Sequence, residues 1–140
     1  KKILNNIPEK IISTRKVMID KKGHAISGKN GNIFNNNPLI VDKDVIASGD
    51  VLFILPEYDK EYDLKLIKSL FMTKTVRFLM SITQKDLYVR GFNNIPDYTL
   101  FIKKLNGELF SDEWFYKNYS FSDELKKHIE SSITAKVDSA

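Results

Sequence analysis

Leu64-Lys65-Leu66-Ile67-Lys68-Ser69-Leu70-Phe71-Met72-Thr73-Lys74-Thr75-Val76-Arg77-Phe78-Leu79-Met80-Ser81-Ile82 is the stretch that decides the fold. Leu64, Ile67, Leu70, Phe71, Phe78 and Ile82 recur at three- and four-residue spacings, which gathers them on one face of a helix. The spacing predicts one long helix over residues 64–82, with Asp59 or Asp63 as its N-cap. Lys74 and Arg77 are three residues apart, so they are neighbours along this helix, at the border of its apolar face. Arginine is costly to bury without a partner. The pair therefore either meets structural carboxylates or borders an anionic ligand.

Outward from this helix, three upstream runs read as strands. Residues 16–19 precede the turn signal Asp20-Lys21-Lys22-Gly23, residues 38–47 alternate loosely between apolar and polar, and residues 50–55 form a compact apolar run closed by Pro56. Ser48-Gly49-Asp50 is a hairpin-turn signal. The Asn- and Gly-rich residues 28–38 form a loop, either a plain connector or one that presents amides and Lys29 to a nucleic acid. Downstream, residues 87–92 read as a strand with Tyr88, Arg90 and Phe92 in alternation, and residues 98–104 are ambiguous. Ser111 and Ser122, each followed by Asp and Glu, start two helices. The first carries Trp114, Phe115, Tyr116 and Tyr119; the second carries Leu125, Ile129 and Ile133 as core. The expected fold is α+β: a small, mostly antiparallel sheet packed on a long helix, with two C-terminal helices, in a single domain over residues 1–140.

Composition limits the chemistry. The 140 residues, 42% hydrophobic and 29% charged, can bury a core without a metal or disulfide staple, and they exclude wholesale disorder. With no cysteine, disulfide frameworks, thiol nucleophiles, cysteine–zinc sites and iron–sulfur clusters are excluded together. No apolar run approaches ~18 residues, and the first ten residues lack a signal-peptide core. The chain begins with Lys1, and it is expected to be a piece of a longer polypeptide. The net charge of +4 is unevenly spread. Residues 1–29 hold eight Lys/Arg against two acids, and residues 65–104 again hold eight against two, whereas residues 105–140 hold four against seven. Side by side, the two basic segments would form one positive face; apart, they are solubilising surface.

Catalytic constellations are sparse. His24 and His128 have no partner at ligand spacing, and no nucleophile elbow, phosphate-binding loop or dinucleotide fingerprint is present. Pro96-Asp97 with Glu124-Leu125-Lys126 matches the two-carboxylate-and-lysine pattern of metal-dependent nucleases. That geometry wants the Glu-x-Lys on a strand, and here it falls in the first turn of a helix, so a nuclease is a remote alternative. Aromatics mixed with bases are Phe78 near Arg77, and Tyr88 and Phe92 around Arg90. They serve either as core or as stacking platforms for bases.

The order of these elements resembles a bacterial family. Residues 67–79 are similar to the helix of adenine-specific DNA methyltransferases of restriction-modification systems, including enzymes fused to a nuclease or helicase. As in that family, a strand like residues 50–55 comes first. Thr83-Gln84 and then Phe92-Asn93-Asn94-Ile95-Pro96 follow the helix. Ser111-Asp112-Glu113-Trp114-Phe115-Tyr116-Lys117-Asn118-Tyr119 and Ser122-Asp123-Glu124-Leu125, with His128-Ile129-Glu130 and Ile133, resemble its tail. The resemblance spans about residues 15–133, with Ser81-Ile82-Thr83-Gln84 shorter than its family counterpart. It implies the C-terminal target-recognition part of such an enzyme, in the cytoplasm. The catalytic loop and the S-adenosylmethionine site would belong to an upstream methyltransferase domain, so no catalytic residue, metal or cofactor is expected in this chain.

The function expected is recognition of double-stranded DNA, with methylation and any cleavage performed elsewhere on the polypeptide. Arg15, Lys16, Lys21, Lys22 and Lys29 would form a first basic strip, and Lys74, Arg77, Lys85 and Arg90 a second; cations hold phosphates while loop side chains read base edges. The alternative is a docking module that packs on the methyltransferase domain or another subunit without touching DNA.

Overall fold

The computed structural model describes residues 8–20, 38–46, 51–83 and 97–132. The short helix α1 (Glu9–Ser13) leads into β1 (Lys16–Asp20), followed by β2 (Leu39–Val41) and β3 (Val51–Ile54). Then come α2 (Lys60–Met72) and α3 (Lys74–Thr83), a 3₁₀ turn (Tyr98–Phe101) running into α4 (Ile102–Leu105), and finally α5 (Asp112–Asn118) and α6 (Asp123–Ser132). The architecture is α+β, as the sequence predicts. The strand expected over residues 87–92 lies outside the described residues.

The sheet is antiparallel, in the order β2-β1-β3. A hairpin across Ser48-Gly49-Asp50 would have made β2 and β3 neighbours. Instead β1 lies between them, and that turn itself falls outside the described residues. Val17 stands opposite both Ile40 and Ile54, and Ile19 opposite Leu52. Because cross-strand partners share a face, Ile40, Val17 and Ile54 form one apolar row beneath α2. The central position of β1 explains why Val17 and Ile19 are buried while the edge residue Leu39 is half exposed.

The predicted long helix is two helices. Asp59 is the N-cap of α2 and accepts from Tyr62 N–H at 3.2 Å. Leu64, Leu66, Ile67, Leu70 and Phe71 form its buried stripe. Thr73 then adopts extended backbone (φ −71°, ψ 147°). It closes α2 through its N–H to Leu70 C=O, and opens α3 by accepting from Val76 N–H at 3.2 Å on its hydroxyl. Such a local hydroxyl cap competes with helix continuation. The break resets the helical phase: Val76 and Arg77 are buried, and Phe78 is only half buried, edge-on to the His128 ring at 5.3 Å.

Asp63 is not a cap. It is fully buried one turn into α2, and its Oδ2 accepts from Glu57 N–H, Tyr58 N–H and the Tyr98 hydroxyl at 3.2, 2.9 and 2.8 Å. This carboxylate ties the 3₁₀ turn to the segment entering α2. Burial, first, and the hydrogen bond to Asp63 raise the Tyr98 hydroxyl well above its ordinary pKa. After α4 the chain reverses through Asn106 and Gly107, both left-handed (φ 49° and 87°), the residue types that tolerate this conformation. Ser111 caps α5 by accepting from Trp114 N–H at 3.0 Å. Trp114 stands edge-on to Phe115 and Phe110 at 5.1 and 5.4 Å, completing an aromatic end to the core. In α6, Ile129 is buried as expected, but Leu125 is 36% exposed and is not core. Among the described residues no helix is long and apolar enough to cross a membrane.

Candidate nucleic-acid interface

Arg15, Lys16, Lys74 and Arg77, the candidate cations among the described residues, lie at or within a turn of the start of β1 or α3. Arg15 immediately precedes β1. Its Nη1 binds the Glu61 carboxylate in the first turn of α2, and its Nε lies 3.3 Å from Asp42 Oδ1. The Glu61 bond is the main reason that Arg15 is held above its ordinary pKa and Glu61 below its own. Arg15 remains 42% exposed at its side chain, so these are surface pairs.

Lys16, the next residue, is fully buried. Its ammonium lies 3.4 Å from the carbonyls of Thr14 and Asp42 and 5.3 Å from the centre of the Phe53 ring. Burial lowers its pKa, opposed by Asp44. In this conformation the ammonium serves the sheet and does not reach an external phosphate.

The second strip is built around α3. Lys74 Nζ binds Glu130 of α6 at 2.6 Å, and the other Glu130 oxygen accepts from the Tyr116 hydroxyl at 3.1 Å. The Lys74 bond is the first cause that keeps Glu130 below the usual carboxylate range. Burial, then Glu130, push Tyr116 up to about 12. Asp112 accepts from Lys74 N–H at 3.1 Å, from Thr75 N–H at 2.8 Å and from the Thr75 hydroxyl at 2.7 Å. It is the first residue of α5 and also caps α3, where a helix N-terminus attracts an anion. Arg77, 2% exposed, lies in the same region; burial lowers its pKa and the Asp112 charge raises it. Lys74 and Arg77 are thus brought together, and the anions they meet belong to the protein.

Of the nine cations expected at an interface, Lys16 and Arg77 are buried, Lys74 is paired with Glu130, and Arg15 is held in surface pairs with Asp42 and Glu61; Lys21, Lys22, Lys29, Lys85 and Arg90 lie outside the described residues. Sequence reasoning missed Asp112 and Glu130 as partners of the second strip. They stand 38 and 56 residues from Lys74, and no local signal links them. The Ser-Asp-Glu start of α5 was legible as a cap for its own helix, but not as one for α3.

The carboxylates of the nuclease pattern have other surroundings. Asp97 accepts from Thr99 N–H and its hydroxyl at 3.0 and 2.9 Å, capping the 3₁₀ turn, and Glu124 sits in the first turn of α6. Among the described residues no three His, Asp or Glu side chains gather closely enough to hold a metal ion. Two of the open concavities among the described residues adjoin α2. One, of about 480 Å³, lies between β3, α2 and Tyr98; the other, of about 470 Å³, lies between α2 and residues 109–112. No protein-family model, curated protein or solved structure matches the chain.

Proposed function

We propose that the chain is a DNA-contacting, target-recognition module of a restriction-modification polypeptide, acting in the cytoplasm and carrying no active site of its own. Methylation, any cleavage, and the S-adenosylmethionine they draw on would belong to the remaining polypeptide. The observation that carries this reading is the charge distribution: two segments with eight Lys/Arg against two acids each, beside an acid-rich C-terminal region. The resemblance of residues 15–133 in motif order supports it. The burial of Lys16 and Arg77 and the Lys74–Glu130 pair shift the expected weight of phosphate contact to Lys21, Lys22, Lys29, Lys85 and Arg90. Arg15, with its exposed pairs, is able to exchange a carboxylate for a phosphate.

The test is a titration of the purified chain with duplex DNA at several salt concentrations. Binding near ~10⁻⁴–10⁻⁶ M is expected. With three to five phosphate contacts the log–log salt slope should be roughly −3 to −4.5. Reversing Lys21 and Lys22 to Glu should lower affinity on every sequence and flatten the slope. No binding at low salt, or binding indifferent to salt and to those reversals, would overturn the reading.

A further inference from the structure

We infer that Asn106-Gly107 is a site of spontaneous covalent modification, at which the Asn106 side chain deamidates through a cyclic imide while the chain is folded. The chemistry needs a side-chain amide free to move, a following main-chain N–H free to attack, and room for the ring that forms. Asn106 closes α4 in the left-handed region at φ 49°, and its own N–H donates to Ile102 C=O. Its side-chain amide and the Gly107 N–H make no hydrogen bond within the described residues, and both residues are exposed. Gly107 has φ 87° and, apart from its chain neighbours, no atom lies within 4 Å of where a Cβ would stand. With no side chain of its own, glycine leaves the attacking nitrogen unhindered.

Asn118, the other asparagine among the described residues, is the internal control. Its Nδ2 donates to Trp114 C=O at 2.9 Å, and the N–H of the following Tyr119 donates to Phe115 C=O at 3.0 Å. Both groups that would react are engaged there, and each bond has to break first. At Asn106 the Gly107 nitrogen, its proton taken by hydroxide, attacks the side-chain Cγ. The N–Cγ bond forms, the bond from Cγ to Nδ2 breaks, and ammonia leaves after taking a proton from water. A second water then opens the imide at one of its two carbonyl carbons. Opening at Cγ gives aspartate; opening at the main-chain carbon gives isoaspartate, with the chain continuing through the side chain. Water is consumed, ammonia is released, and nothing is oxidised or reduced. Either product carries one more negative charge than its parent, and isoaspartate adds one main-chain carbon two residues before Glu108. That residue is held by its N–H to Leu105 C=O at 3.0 Å and by the Tyr62 hydroxyl to its C=O at 2.8 Å.

The experiment incubates the full chain at mildly alkaline pH, folded in buffer and unfolded in guanidinium chloride, and follows each asparagine by peptide mapping with mass spectrometry. Asn106 should convert in the folded chain within about fivefold of its rate in denaturant, because an exposed turn with free polar groups is already open. Asn118 should stay intact in the folded chain over the same period. Residue 106 should be recovered as isoaspartate together with aspartate, the signature of an imide that opens both ways. Gly107→Ala should slow the conversion in denaturant, where folding plays no part, since the added Cβ crowds the attacking nitrogen. Asn30-Gly31, outside the described residues, is mapped on a separate peptide and does not enter the comparison. A greater slowing of Asn106 by folding, or conversion of Asn118 as fast as Asn106 in the folded chain, would overturn the inference. So would aspartate alone at residue 106, which means direct hydrolysis, or a rate in denaturant that Gly107→Ala leaves unchanged.

Discussion

Removing the Asp112 carboxylate should cost far more than an ordinary substitution at a helix start. Asp112 accepts three hydrogen bonds from the first turn of α3, at 2.7 to 3.1 Å, and its charge acts on the buried Arg77 guanidinium. Loss of a capping Asp costs about 0.5–2 kcal/mol. Stripping one partner from a fully buried charge pair costs about 3–5 kcal/mol. Asp112 is only half buried and the two effects overlap, so Asp112→Ala should lose ~2–4 kcal/mol. For a chain of this length that is a fall in Tm on the order of 10 °C. Asp112→Asn keeps an oxygen acceptor and loses the charge; its cost should be about 1–2 kcal/mol. Urea denaturation followed by circular dichroism measures both variants, and the same series in an Arg77→Met background measures their coupling, expected at ~1 kcal/mol or more. If both single variants stay within about 0.5 kcal/mol of the parent, the range of neutral surface changes, Asp112 does not hold α3 and the account of the second strip fails.

Two further predictions concern the same end of the molecule. Glu130 has a depressed folded pKa, so its contribution is complete above the ordinary carboxylate pKa and is lost as pH falls through the folded value; Tyr116 is raised to about 12, so its contribution is complete below about pH 10 and is lost as pH rises toward 12. Stability measured against pH should therefore fall at both ends, and Tyr116→Phe should flatten the alkaline limb; an unchanged limb would show that Tyr116 does not hold its proton through burial and Glu130. Trp114, the single tryptophan, is 5% exposed among Phe110, Phe115, Tyr119 and Phe101, so Trp114→Ala should cost ~3–5 kcal/mol, and native emission should be blue-shifted and move red on unfolding.

The sequence made the strand and helix types legible because their signals are local. Asp59, Ser111 and Ser122 sit where caps belong, and Leu64, Ile67, Leu70 and Phe71 keep helical spacing. The break at Thr73 was not legible from periodicity, since Phe78 continues the apolar spacing by coincidence of phase. Its signal was chemical: Thr73 and Thr75 flank the new N-terminus, and a hydroxyl can cap a helix as readily as sit within one. Strand order failed for a different reason. A turn signal such as Ser48-Gly49-Asp50 speaks for a reversal, whereas the placing of β1 between β2 and β3 depends on burying Val17 and Ile19 beneath α2. Of the candidate site, the sequence revealed the clustering of cations but not their partners. Counting Lys and Arg treats each as a surface charge, and Lys16 and Arg77 are buried.

The four candidate interface cations among the described residues consequently differ in what they can give to a polyanion. Lys16 and Arg77 would have to leave the core, and the cost of uncovering them exceeds what one phosphate contact returns. Lys74 is held by a bond to Glu130 at 21% side-chain exposure, an intermediate case. Arg15 differs because its partners Asp42 and Glu61 are themselves 83% and 65% exposed, and pairs of that kind contribute little and are screened by salt. Exchange of Glu61 for a phosphate oxygen leaves Glu61 in water, with no buried charge orphaned. Arg15→Ala should thus leave Tm nearly unchanged, weaken duplex DNA binding on all sequences alike, and make the salt slope shallower by about 0.9, the share of one phosphate. Arg77→Met should lower Tm and, at a temperature where the variant is fully folded, leave the slope where it was. The opposite pattern, with the slope responding to Arg77 and not to Arg15, would mean that the buried Arg77 is uncovered when DNA binds.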